Sequence, residues 1–199
     1  MSASYVQLPV DGAGKKVRTV QKTVGADTVH VEQQVADSLL NFVGAYSICV
    51  RIAGSASAGY QHLSLLNPNA SGKILKIKAI KLMVEIGSVA NLIQVLRSSD
   101  LGTGTSQTAV KKNSAYVNSA ASIRTALTGN ATVTYPFLGV VKGTTATLRL
   151  LDYVNWDAIL ERDQMLLREN EGIVVRQSVA GAATEFLSVT VEWEEYVTT

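Results

Sequence analysis

Alternation of apolar and polar residues with a period of two is the dominant pattern along this chain. It is clearest over residues 187–194 (LSVTVEWE), where every second residue is large and apolar. Similar runs predict further strands over residues 46–53, 60–66, 73–86, 92–97, 131–135, 145–150 and 173–177. Turns rich in Gly, Ser and Asn separate these runs, and no long helix lies between them. The pattern therefore predicts an all-β protein, an antiparallel β-sandwich of jelly-roll-like kind with about eight strands.

Two stretches depart from this alternation. Residues 99–129 are dominated by Ser, Thr, Gly and Ala, which predicts a long loop that is either functional or ordered by a neighbouring subunit. Within it, residues 120–127 favour a short helix. Residues 152–170 place Trp156, Ile159 and Leu160 at near-helical spacing, which allows a turn or two of helix there.

The first 36 residues differ from the rest because they contain few large apolar side chains. Two β-prone stretches, residues 17–24 and 28–35, flank Gly25-Ala26-Asp27, and this arrangement predicts a hairpin. Its apolar face is too thin for independent stability. We therefore expect residues 1–36 to form an N-terminal arm or hairpin that leans on another surface, and residues 37–199 to form the β-sandwich domain.

The composition indicates a surface made for packing rather than for charge-driven binding. Charged residues make up 17% of the chain, against about 25% in ordinary soluble domains. Neutral Ser and Thr cost less to bury than Lys or Glu, although a merely Thr-rich soluble protein fits the same numbers. The net charge of +2 is too small to predict binding to nucleic acid or to an anionic membrane. Neither a signal peptide nor a membrane-spanning segment is expected.

Residues able to carry chemistry are few. The two histidines, His30 and His62, are far apart in the sequence, and His62 is expected to point outward from its strand. The single cysteine, Cys49, is expected to be a buried small hydrophobe. No Ser lies in a Gly-x-Ser-x-Gly elbow, and residues 11–16 (DGAGKK) lack the full spacing of a phosphate-binding loop. The sequence thus predicts no catalytic residue, no cofactor and no metal.

Charged residues cluster in three places. Four lysines lie close together at positions 73, 76, 78 and 81, and they form either a solvated face or a docking face for an acidic partner. Three carboxylates lie at positions 192, 194 and 195, and two of them, Glu192 and Glu194, share one face of the strand, which is expected to be exposed. The third group is in the N-terminal arm. The candidate interaction residues are Lys15, Lys16, Arg18, Lys76 and Lys78.

Both ends of the chain resemble a known class of protein. Residues 5–18 (YVQLPVDGAGKKVR) and 23–30 (TVGADTVH) are similar to the start of virion structural proteins of tailed bacteriophages. Residues 171–176 (EGIVVR) and 189–196 (VTVEWEEY) are similar to the closing strands of the same group. These segments are structural, so no catalytic residue is carried over with them. The resemblance implies a β-sandwich on a phage particle: a head decoration (cement) protein, or a collar, tail or fibre component.

The sequence and the resemblance together lead to three hypotheses. The first is a non-enzymatic capsid decoration protein, located in the virion after assembly in the host cytoplasm. Its partners would be major capsid or tail subunits and further copies of itself, with a trimer as one symmetric form. The second is a tail, collar or fibre component that binds a receptor or carbohydrate, for which Tyr116, Tyr135 and Tyr153 are candidate contacts. The third, a hydrolase, lacks a catalytic constellation.

Overall fold

The chain forms two compact units in the computed structural model, residues 1–39 and residues 40–199. The structure describes residues 4–7, 16–24, 27–32, 40–86, 89–142, 149–155 and 165–198. None of these residues forms a helix that is long and apolar enough to cross a bilayer. The two units are described separately below.

The first unit is a three-stranded antiparallel sheet. Its strands are β1 (Ser4–Gln7), β2 (Lys16–Val24) and β3 (Asp27–Glu32). β2 lies in the middle, and its last residue pairs with the first residue of β3. The predicted hairpin is therefore confirmed in the backbone pairing. Lys16 and Arg18 belong to β2, whereas Lys15 lies outside the described residues.

Twelve strands form the described part of the second unit. They are β4 (Leu40–Ala53), β5 (Gln61–Asn67), β6 (Lys73–Ile86), β7 (Asn91–Ser98), β8 (Thr103–Gln107), β9 (Val110–Lys111), β10 (Ser122–Gly129), β11 (Val133–Lys142), β12 (Arg149–Asn155), β13 (Met165–Leu167), β14 (Glu171–Gln177) and β15 (Phe186–Thr198). Sheet I has the order β12-β6-β15-β4-β9, with β13 also paired to β6. Sheet II has the order β11-β7-β14-β5-β10-β8. Every described pairing in both sheets is antiparallel.

Eight of these strands follow a jelly-roll path. The chain alternates between the sheets through β4, β5, β6 and β7, continues from β7 to β11 in sheet II, and alternates again through β12, β14 and β15. This gives the four-strand sets β12-β6-β15-β4 and β11-β7-β14-β5, as in double-sheet jelly rolls. The predicted antiparallel sandwich is confirmed. The remaining strands, β8, β9, β10 and β13, extend the two sheets.

The core fills the space between sheets I and II. On β15 the period-two pattern sends Leu187, Val189, Val191 and Trp193 inward, and each is at most 4% exposed. Leu63 and Leu65 of β5 face them within the same apolar cluster. Burying each such side chain stabilises the fold by about 1.5–3 kcal/mol. Each face of β15 is thus fixed by sequence alternation alone.

The region predicted to be a long loop contains three strands. Residues 99–129 include β8, β9 and β10, and the helix predicted over residues 120–127 is wrong. Ile123, Thr125 and Leu127 are buried at a spacing of two, which is a strand pattern. For the possible helix over residues 152–170, the described ends are strands β12 and β13, and residues 156–164 lie outside the described residues.

Cys49 is exposed, so its predicted burial is wrong. β4 alternates like the other strands, and its inner positions are taken by residues such as Tyr46 and Ile48. Cys49 follows Ile48 and falls on the outer face, where the Thr190 hydroxyl lies 3.3 Å from its sulfur.

His62 is buried, at 2% exposed, so its predicted outward orientation is also wrong. The pairing of β5 with β14 runs from Leu63↔Val175 to Gln61↔Arg176 and skips His62. Such a β-bulge re-aims a side chain. His62 consequently lines a small pocket beside the core residues Ile93 and Leu187.

The turn after β7 is fastened by Asp100. Its carboxylate accepts hydrogen bonds from the amides of Gly102 and Thr132, both at 3.0 Å. Hydrogen bonding from Thr132 is the main cause that lowers the pKa of Asp100. The carboxylate thus joins the turn to the start of β11.

We predict that Asp100→Asn weakens the fold in a pH-dependent way. A lowered pKa in the folded state contributes stability that is present above the ordinary value of about 3.9 and is lost as the pH falls through the folded value. At neutral pH the free energy of unfolding of the wild type should exceed that of the variant by about 1 kcal/mol. The gap should shrink below about pH 4. Urea unfolding at several pH values measures it, and a gap that does not change with pH would contradict the argument.

Candidate interaction surface

Metal and acid–base chemistry have little support among the side chains that the structure describes. No group of three or more His, Cys, Asp or Glu side chains in that part of the chain is placed to hold a metal ion. His62 packs edge-to-face against Tyr60, with ring centroids 5.1 Å apart. Of the possible phosphate loop over residues 11–16, only Lys16 is described, and it begins a strand where phosphate binding requires a helix N-terminus.

The pocket that contains His62 is a structural polar network. The two Nε2 hydrogens of Gln177 are shared among the carbonyls of Ser55, Ser57 and Val179, at N···O distances of 2.6–3.1 Å. Asn91 exchanges two hydrogen bonds with the backbone of Val179. The space that remains fits about one water molecule. The network therefore fastens the loops at this end of the sandwich and leaves no room for a substrate.

Lys76 and Lys78 lie on the outer face of sheet I, next to carboxylates of β15. Lys78 Nζ is 3.5 Å from Glu194 Oε2. Lys76 Nζ lies 5.9 Å from the centre of the Tyr196 ring. On the side of β15 that is next to β4, Glu192 pairs with Lys112. The face is therefore mixed in charge, and the role of Lys76 and Lys78 in docking stays a prediction.

A more distinctive feature is the segment that crosses between the sheets. Residues 108–121, here called the excursion, leave β8 of sheet II, add β9 to the edge of sheet I and return to β10 of sheet II. β9 pairs with β4 through Ser47↔Val110 and Tyr46↔Lys111. The excursion thus passes over one open side of the sandwich.

Glu195 anchors the excursion from inside the protein. Its side chain is 0% exposed and accepts hydrogen bonds from the Ser119 hydroxyl at 2.5 Å and the Ala120 amide at 2.9 Å. Lys73 Nζ donates to the same carboxylate at 2.7 Å. The Trp193 indole N–H lies 3.3 Å from it. A buried carboxylate with an ion-pair partner and several donors is a strong structural anchor.

Tyr46 provides a second anchor beside the first. Its hydroxyl donates to the Val117 carbonyl at 3.0 Å, and its ring stacks on Trp193 with centroids 5.9 Å apart. Burial raises the pKa of Tyr46, and the nearby Glu195 charge and Tyr116 raise it further. The phenol therefore stays protonated and keeps its donor at neutral pH.

The anchored excursion displays apolar side chains to solvent. Val110 is 61% exposed and Val117 is 57% exposed. The ring of Tyr116 meets that of Phe42, which is 49% exposed, with centroids 5.7 Å apart. We call these four residues, three of the excursion and Phe42 of β4, the excursion patch. Exposed apolar side chains on a rigid backbone are typical of a binding surface, because little further ordering is needed on association.

A polar groove lies at the rim of the sandwich, where β7, β11, β13 and β14 meet. It encloses about 370 Å³, and its lining includes Arg97, Ser99, Thr134, Arg168, Asn170 and Glu171. No residue of the excursion patch lines it. The groove is thus a second and separate surface feature.

Sequence reasoning identified Tyr116 but missed the other parts of these sites. Glu195 continues the inward alternation of β15 after Val191 and Trp193 and is buried, whereas the predicted outward pair, Glu192 and Glu194, is partly exposed. A Glu at an inward position does not by itself predict burial, because carboxylates are rarely buried unless they are paired. The side chains of Tyr135 and Tyr153 lie outside the described residues.

Comparison of the chain with protein-family models, with curated proteins and with solved structures finds no match.

Proposed function

We propose that this chain is a non-enzymatic structural component of a tailed-phage particle, a decoration (cement) protein that binds neighbouring virion subunits. The observation that carries the proposal is the excursion patch, which presents exposed valine and aromatic side chains on a backbone fastened by Glu195 and Tyr46. Double-sheet jelly rolls are the architecture of many viral capsid domains and also of lectins. The resemblance to virion structural proteins that the sequence suggests at both chain ends favours the same choice.

Two further features fit repeated packing against neighbours. β8 lies at the end of sheet II, and its sequence TGTSQ has no charge and no proline that would discourage pairing with another strand. The first unit offers further strands, and its sequence predicts only a thin apolar face. We propose that it pairs with an adjacent subunit, so that copies of this chain and the major capsid or tail subunits are the partners.

A tail, collar or fibre component that binds a receptor or carbohydrate is the second candidate. The rim groove favours it, because polar side chains converge there around a volume within the range of ligand pockets, about 300–1,000 Å³.

We predict that Val117→Glu lowers occupancy on the particle by tenfold or more. A carboxylate placed in an apolar contact must be desolvated without a partner, which costs at least about 1.4 kcal/mol, or a factor of ten. Particles made without this protein would be incubated with the purified variant. Bound copies would then be counted by quantitative mass spectrometry.

The matched control is Val179→Glu. Val179 is 46% exposed and lies in the loop after β14, away from the excursion, so its variant should bind like wild type. Equal loss for both variants, or no loss for either, would reject the excursion patch as the docking surface. The same assay on a chain lacking residues 1–36 measures the contribution of the arm. Normal binding without the arm would remove its proposed role.

A further inference from the structure

The rim groove is built on a short turn that its own side chains hold in place. Arg168 and Glu171 close the connection between β13 and β14 through two hydrogen bonds. The Glu171 amide donates to the Arg168 carbonyl at 3.0 Å, and the Arg168 amide donates to the Glu171 carboxylate at 2.8 Å. Asn170 between them adopts a left-handed conformation with φ of 63°. The backbone that carries three lining residues is thus fixed before any ligand arrives.

A second arginine is fixed on the other side of the groove. Arg97 donates from Nη1 to the Leu166 carbonyl at 3.0 Å and lies 3.7 Å from Glu171 Oε2. It remains 39% exposed, so part of the guanidinium still faces solvent. Arg97 is therefore oriented by its neighbours, and its charge is largely balanced by Glu171.

Arg168 is different, because its guanidinium has no hydrogen-bond or ion-pair partner among the described residues. It is exposed at the groove. One unbalanced cation, held next to an Arg–Glu pair, suits one anionic group of a ligand. A planar guanidinium binds a carboxylate in bidentate fashion.

The remaining groups around the groove both donate and accept hydrogen bonds. Ser99 and Thr134 provide hydroxyls, Asn170 provides an amide, and Glu171 provides only acceptor oxygens. The hydroxyl of Ser98, which also lines the groove, is buried without a partner among the described residues. A ligand with several hydroxyls satisfies this mixture, since each hydroxyl can donate to Glu171 or accept from an arginine. A phosphate ion offers mainly acceptors, so it does not supply the donors that the Glu171 oxygens require.

From these contacts we infer that the rim groove binds a saccharide unit that carries a carboxylate, such as a uronic acid. Arg168 pairs with the sugar carboxylate, while Glu171 and the hydroxyls of the groove bind ring hydroxyls. None of the described lining residues is aromatic, so no stacking platform adds affinity. A single sugar unit should therefore bind with a dissociation constant on the order of millimolar. Many copies on one particle would convert this weak affinity into firm attachment to a repeating acidic glycan.

Ligand-observed saturation-transfer NMR on the purified full chain tests the inference. The probes are methyl glucuronide, methyl glucoside, acetate and inorganic phosphate, each at millimolar concentration. We expect saturable binding of the glucuronide and at least tenfold weaker binding of the neutral glucoside, because the charge-assisted hydrogen bonds are lost. Arg168→Gln should weaken glucuronide binding by about tenfold or more.

Arg51→Gln is the matched control, because Arg51 is an exposed arginine on β4 of sheet I, outside the groove. It should bind the glucuronide like wild type, and the melting temperatures of both variants confirm folding. The inference is overturned if the glucoside, acetate or phosphate binds as well as the glucuronide. It is equally overturned if Arg168→Gln binds normally, or if wild type binds no probe. The NMR result is independent of the particle assay. If no probe binds as expected, the proposed cement role is unaffected. If the particle assay rejects the cement role, the proposed saccharide site is unaffected.

Discussion

Glu195→Ala is expected to lower the free energy of unfolding by about 3–5 kcal/mol, the usual cost of removing one partner from a buried ion pair. The carboxylate is 0% exposed and serves Lys73, Ser119, Ala120 and Trp193 at once. Its removal leaves the Lys73 ammonium without its partner and the Ala120 amide without an acceptor. The excursion should then open locally while the sheets remain paired.

Urea denaturation gives the total loss, and amide hydrogen exchange at Ala120 shows whether the excursion has opened. Glu194→Ala is the matched control one residue earlier on β15. Glu194 is partly exposed and pairs with Lys78 at 3.5 Å, so its loss should cost about 1 kcal/mol or less. If the two variants lose equal stability, Glu195 is no more than an ordinary surface carboxylate. An unchanged exchange rate at Ala120 would also contradict the anchoring role.

Gln177→Ala is the second substitution for which a large effect is expected, about 2–4 kcal/mol. Its amide satisfies three carbonyls and accepts from the Ser55 amide at 3.3 Å, and the side chain is 2% exposed. Alanine leaves several buried backbone groups without partners, and each such group carries a desolvation cost of about 1–3 kcal/mol unless water reaches it. The loop over residues 54–60 should lose its fixed conformation.

Thermal unfolding measures the stability loss, and limited proteolysis tests for cleavage within residues 54–60. Gln107→Ala provides the comparison, since Gln107 is half-buried and its side chain donates a single hydrogen bond, to the Thr125 hydroxyl at 2.9 Å. That variant should lose about 1 kcal/mol. A loss for Gln177→Ala no greater than this would show that water replaces the amide at little cost.

Strands with one apolar face and one polar face could be predicted from the sequence. β6 was predicted over residues 73–86 and has those bounds, and the inward residues of β15 follow its alternation through Trp193. Each buried position there lies between two solvated ones, so the period is visible without a partner strand. The pattern cannot show which strand pairs with which, because jelly-roll neighbours such as β4 and β15 are far apart in sequence.

A β-bulge caused the error at His62. A bulge inserts one residue into one strand of a ladder and shifts the alternation of side chains around it. The pairing of β5 with β14 skips His62, and this bulge turns the His62 side chain inward. No glycine or proline within β5 marks it. The helix error at residues 120–127 had another origin, since Ala and Leu favour helix locally while the pairing of β10 with β5 and β8 overrides that preference.

The candidate sites were less predictable than the fold. Tyr116 is a candidate from the sequence only by its location in or near a predicted loop, and nothing near it in sequence identifies Phe42 as its neighbour. The groove joins residues from β7, β11 and the β13–β14 turn, which only the completed sandwich brings together. Sites assembled from distant segments leave no local spacing pattern in a single sequence.

The pairing of β4 with β15 also determines how this protein can be made in the cell. β15 lies between β4 and β6 and pairs with both along nearly its whole length. Until β15 has left the ribosome, β4 and β6 each present an open edge, and the Glu195 anchor does not exist. At about 5–20 residues per second, these edges stay open for on the order of ten seconds. The nascent chain should therefore need protection from a chaperone, and a truncation within β15 should aggregate rather than accumulate as a shortened, folded domain.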